Sequence, residues 1–172
     1  MAAVPGVGRS AGSGVRRLRG SRVDQEGWEV PVPFGPRGSP SGAARDVVAL
    51  RLPAVGAYLS VLRTTTAGLA ARLDFALDEM EDLRIAVDEA CAALLPTAVP
   101  GADLDVEFEL TGDVMCVSVT VLTLNGAQPA RDTFAWAVLS ALAGGVDSHA
   151  GPDNRVTIVL QKQRAGARHE AE

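Results

Sequence analysis

Residues 78–96, DEMEDLRIAVDEACAALLP, narrow the folds open to this chain more than any other stretch. Asp78 followed three residues on by Glu81 has capping-box spacing, and an acidic first turn suits the positive end of a helix dipole. Leu83, Ile85, Ala86, Val87, Ala90, Leu94 and Leu95 then supply an apolar surface, and Pro96 ends the run. Arg84 and Asp88 stand four apart on the expected wet side, a pairing worth only ~0.3 kcal/mol. Glu89 is the odd residue, because it shares a face with Ile85, Ala86 and Ala93. A carboxylate on such a strip sits at a groove edge or has a partner, since burying it alone is costly.

The 172 residues suffice for one domain with an extra segment. Hydrophobic residues make up 47 % but aromatics only 4 %, so the core must be aliphatic and alanine-rich. Apolar runs are too short and interrupted to span a bilayer, and the first forty residues lack the apolar region of a secretory signal. A cytoplasmic protein is the expectation. Cys91 and Cys116 have no ligand spacing and read as core thiols in a reducing compartment. His149 and His169 lie in polar stretches far from any nucleophile, so neither receives a catalytic role.

Charge is split unevenly. Residues 1–45 carry seven arginines against Asp24, Glu26 and Glu29, a net of +4, and the remainder is −9, giving the −5 of the whole. An acidic body argues against direct nucleic-acid binding and for a basic protein partner. Residues 1–44, rich in Gly, Ser, Pro and Arg, read as a disordered tail, and its arginines as solvated.

Residues 47–52 form a short strand, after which Pro53 opens a helix over 55–73. Val55, Leu59, Leu62, Thr66, Leu69 and Leu73 make its apolar stripe. Arg63 lies just off the stripe, flanked by Gly56, Ser60 and Ala67: a flat patch of small residues around one long cation, which is either a docking face or an arginine lying over its own helix. Leu104, Val106, Phe108 and Leu110 alternate with Asp105, Glu107 and Glu109 as a strand with one wet, acidic face. Thr111-Gly112-Asp113 turns the chain into a return strand over 114–122. A loop with Asn125-Gly126 and Pro129 leads to a helix over 134–143 stopped by Gly144-Gly145. A last strand carries Val156, Ile158 and Leu160, and residues 164–172 read as a frayed tail. The expected fold class is α+β, a two-layer sandwich of one mixed sheet with helices on one face, in the order β-α-α-β-β-α-β over residues 45–163.

The sequence DLRIAVDEACAALL resembles the N-box helix of bacterial anti-sigma factors that are also serine kinases, built on the histidine-kinase-like ATPase (GHKL) fold. That family shows an arginine-bearing first helix, a Leu-Asp segment and an N-box helix of the form LRxAVxEAxxNAIxH. Here Arg63, Leu73-Asp74, Leu83-Arg84, Ala86-Val87 and Glu89-Ala90 keep its spacing. FAWAVLSALAGGV and RVTIVL resemble its second glycine-box helix and closing strand.

The family's chemical motifs are replaced together. The asparagine that would hold magnesium is Ala93, and the histidine four residues on is Thr97. No aspartate occurs between Asp113 and Asp132, where the first glycine box would place one to grip adenine. Phe134 and Trp136 stand where glycines would admit phosphate, and the lid between the boxes is cut to about a dozen residues. Of the catalytic set only Glu89, the family's base, remains, here vestigial. The resemblance implies an anti-sigma factor that grips a sigma factor through Arg63, is released by an anti-anti-sigma factor and forms a homodimer. Gly56, Ser60 and Ala67 around Arg63 would let a partner helix come close, and the replaced motifs lead us to expect no cofactor or metal. Two other readings stay open: an active serine kinase of an anti-anti-sigma factor, using ATP and magnesium, and an α+β binding module of merely similar architecture.

Overall fold

The computed structural model describes residues 46–166. The tail expected over 1–44 and the last residues of the one expected over 164–172 lie outside them. The order is β1 (Asp46–Pro53), α1 (Leu59–Arg72), α2 (Leu77–Leu94), β2 (Asp103–Thr111), β3 (Val114–Leu122), α3 (Phe134–Ala143), β4 (Gly145–Ala150) and β5 (Arg155–Gln163). The fold is α+β, as expected, with three corrections in detail.

The sheet is not mixed. Its order is β1-β2-β3-β5-β4 and all four ladders are antiparallel. The crossover through α3 makes β4 run in the same sense as β3, but β5 enters between them and pairs antiparallel with both. The second correction is β4 itself. GVDSHA has no apolar alternation, because an edge strand with polar positions gives little pattern to read. Its turn into β5 places Asp153 and Asn154 at φ 59° and 60°, a conformation their short polar side chains tolerate. Third, α1 begins later than expected: Gly56–Tyr58 is a 3-10 turn and Val55 is half exposed.

α2 is the spine of the helical layer. Leu83, Ala86, Val87, Ala90, Cys91 and Leu94 are fully or almost fully buried, one strip at helical spacing. Each Leu or Val so placed contributes roughly 1.5–3 kcal/mol. The strip meets Leu104, Val106, Phe108 and Leu110 of β2, Met115, Val117, Val119 and Val121 of β3, and Val156, Ile158 and Leu160 of β5 in one core. α1 adds Leu62 and Ala70, and α3 adds Trp136, Leu139 and Ala143.

The start of α2 differs from the expected cap. The helix begins at Leu77, and it is Glu79, not Glu81, that reaches back, accepting a hydrogen bond from the Ala76 N–H at 2.8 Å. Its other oxygen accepts from the Ala165 N–H at 2.6 Å, so this buried carboxylate also ties down the chain after β5. Ile85, read as part of the apolar surface, is 45 % exposed. Cys91 is in the core, whereas Cys116 is only part-buried and alternates away from it. Burial pushes the Cys91 thiol up to about 12, with Asp88 adding to the shift.

Candidate functional site

Two surfaces carry the residues singled out by sequence. The first is the outer side of α1 with the flank of α2. Ser60 and Arg63 are exposed on α1, Ala67 is half-buried, and Gly56 is exposed in the preceding 3-10 turn with open space where a Cβ would stand.

Arg63 does not lie over its own helix. Its Nε donates to Asp88 Oδ2 on α2, and the pair ties the two helices together. The expected Arg84–Asp88 pairing is absent: Arg84 instead donates to Glu81, one turn toward the start of α2. Side-chain exposures of 46 % for Arg63 and 22 % for Asp88 place the guanidinium at the protein surface with its carboxylate partner beneath it. The two Nη groups of Arg63 make no hydrogen bond among the described residues, so the outer edge of the fork remains available. Asp88 was legible only as a solvent-side residue, because a bond between helices depends on their packing register and leaves no spacing in sequence.

The second surface surrounds Glu89, where the resemblance expects a nucleotide. Glu89 and Ala93 are half-buried on α2. Thr97 follows in a 3-10 turn, where its Oγ donates to Leu94 O at 2.8 Å and its carbonyl accepts from Leu124 N at 3.0 Å. Among the described residues no group of three or more His, Cys, Asp or Glu side chains is arranged to hold a metal ion.

Across from α2, Thr133 caps α3 by accepting from Trp136 N at 3.2 Å. The two aromatics at the start of α3 do different things. Trp136 is 8 % exposed and packed into the core edge, whereas Phe134 is 86 % exposed and fills nothing, contrary to what its motif position suggests. Arg131 lies over the Trp136 ring, 5.2 Å from its centroid. It also donates to Asp147 Oδ1 and, at 3.1 Å, to Ser148 O, both on β4. Neither Arg131 nor Asp147 was singled out by sequence. The loop reads as a lid, but its fastening depends on a strand that the pattern does not reveal.

Comparison with known proteins places this geometry in context. No family model matches the chain. It is 38 % identical over 58 residues to the serine-protein kinase RsbW of Bacillus pumilus (strain SAFR-032), a match covering 34 % of this chain and 36 % of that protein. It is 41 % identical over 51 residues to the serine-protein kinase RsbW of Bacillus mycoides (strain KBAB4), covering 30 % and 32 %. The matches thus span about a third of the length of these curated relatives. The fold is similar to the crystal structure of the RsbU and RsbW domains of Rv1364c from Mycobacterium tuberculosis, with a TM-score of 0.56 and 16 % identity over 69 % of this chain and 32 % of that one.

Proposed function

We propose that this relative of the RsbW serine-protein kinases, built on the histidine-kinase-like ATPase fold, is an anti-sigma factor that works by surface contact without nucleotide chemistry. It would cover a surface of an alternative sigma factor and be displaced by an anti-anti-sigma antagonist. The observation that carries this reading is the kinship with RsbW proteins in a chain whose best-placed cation, Arg63, sits half exposed among small residues. A guanidinium whose Nε is held by Asp88 loses less freedom when its Nη groups engage a partner, and arginine commonly anchors interfaces. Gly56, Ser60 and Ala67 let a partner helix come close to the α1 backbone. The −9 charge of residues 46–172 suits a sigma factor whose own surface is basic for DNA.

ATP with magnesium does not fit the residues present. Ala93 has no ligand atom where the resembling family's asparagine would hold magnesium. Trp136 is packed where close backbone approach to phosphate would call for glycine. Without side chains to hold a metal or a phosphate near it, Glu89 would have nothing to activate.

The test is capture of a sigma factor from the native host by the full chain, followed by the Arg63→Ala variant. The variant should bind about 2 kcal/mol more weakly, the scale of an interface hot spot. Capture with undiminished affinity for the variant would move the docking face elsewhere, and absence of any sigma factor from the bound fraction would overturn the role. A second reading, an active serine kinase of the antagonist, draws on the half-buried but accessible Glu89 and on the kinase names of the relatives. Phosphate appearing on a serine of a co-expressed anti-anti-sigma protein would favour it.

A further inference from the structure

The loop between β3 and α3 is fastened along its length. At its start the Thr123 N–H and hydroxyl both reach Asn154 O, at 3.0 and 2.8 Å, and Gly126 N donates back to Thr123 Oγ at 2.9 Å. Gly126, at φ +68°, has Asn154 Oδ1 where a Cβ would collide with it at 3.0 Å, so the loop is pressed against the β4–β5 turn. In its middle the side chain of Gln128 meets Ser148 Oγ at 3.1 Å. At its end Arg131 is held on three sides: by the Trp136 ring, by Asp147 Oδ1 and by Ser148 O. Asp147 is itself oriented, its Oδ1 also accepting from Ser148 N at 2.8 Å.

We infer that residues 123–133 form a strap latched onto the edge strand β4 by Arg131, and that the Asp147 carboxylate sets whether the latch is shut. The inference rests on the nucleotide-free reading above, since it assigns to the chain's own residues the task of closing this loop. The physical case is the convergence of three weak interactions on one guanidinium. Arg131 joins an ion pair, a backbone hydrogen bond and a ring contact, and each orders the side chain for the others. Ser148 O, on the outermost strand, is given a donor, which blunts an edge that could otherwise pair with another chain. When the latch opens, the Trp136 face, the β4 edge and the first turn of α3 become accessible together, next to the already exposed Phe134.

The test uses the full chain with Trp28→Phe, which leaves Trp136 as its one tryptophan, and reads quenching of its fluorescence by acrylamide. Arg131→Ala and, separately, Asp147→Asn should each raise the quenching constant several-fold, as the ring passes from shielded to open. Asp147→Asn decides the matter, because it leaves Arg131 and the ring in place. An unchanged quenching constant in Asp147→Asn would overturn the latch, leaving Arg131 as a mere shield on the ring. Return of Arg131→Ala to the parent value on adding ATP and magnesium would also overturn it, since nucleotide would then close the strap. One-site ATP binding by calorimetry with both variants still opening the strap would sink the nucleotide-free reading and leave the latch standing.

Discussion

On the proposed function, Arg63 is a side chain that would matter little for folding and much for recognition. Its pair with Asp88 is solvent-accessible, and pairs of that kind contribute roughly 0.2–1 kcal/mol. Arg63→Ala should therefore lower folding stability by less than about 1 kcal/mol by urea unfolding, while weakening partner binding by about 2 kcal/mol. A comparable loss in both measurements would mean that the arginine is a helix clamp and not an anchor. Cys91 permits a pH prediction. Its folded pKa is raised from 9.0 to about 12 by burial, so the unfolded chain releases this proton first as pH rises. Folding should lose stability progressively between pH 9 and 12, and Cys91→Ala should flatten that decline despite its own packing cost. An equal alkaline slope in the variant would contradict the assignment. At this scale the sequence was informative about residue type and misleading about partner. Arg84 and Asp88 stand at pairing distance on paper, yet Asp88 faces α1 and Arg84 turns to Glu81.

Elements were more legible than contacts. The alternation through β2 and the spans of β3 and α3 follow from burying the core face. The other face is not the wet, acidic one expected: Asp105, Ser118 and Thr120 are buried there, Asp105 accepting from both Arg51 and Arg155. β4 escaped because its one fully buried residue is the polar Ser148, and a polar edge strand is held by the ladder to β5, not by its own pattern. The start of α2 escaped because Asp78 and Glu79 both suit a first turn, and only the return of the chain after β5 selects Glu79. That selection has a consequence for stability. Glu79→Ala removes the acceptor of two backbone N–H groups, one at the start of α2 and one just after β5, and should cost about 2–3 kcal/mol by thermal or urea unfolding. A loss below half a kcal/mol would mean that water replaces the carboxylate freely.

At the scale of the whole molecule, the same layers give an acidic body, on which the proposed function places partner surfaces. Val55, Tyr58 and Val61, at and before the start of α1, are each more than 40 % exposed, as is Val47 on edge strand β1, and such apolar groups could meet a second copy. A homodimer is the expected state, and a monomer mass by light scattering across micromolar concentrations would count against it. The Arg63 face would serve the sigma factor, and the latched strap would stand where related chains are expected to take nucleotide. Sequence reached this division through what its motifs lack, while the features that replace them, Arg131 against Trp136 and Asp147, came only with three-dimensional packing. The most direct measurement is calorimetric titration of the host sigma factor into the full chain, nucleotide-free and with magnesium chelated, and again with ATP and magnesium. The account predicts one-site binding of equal affinity in both. Binding that appears only with ATP and magnesium would contradict it.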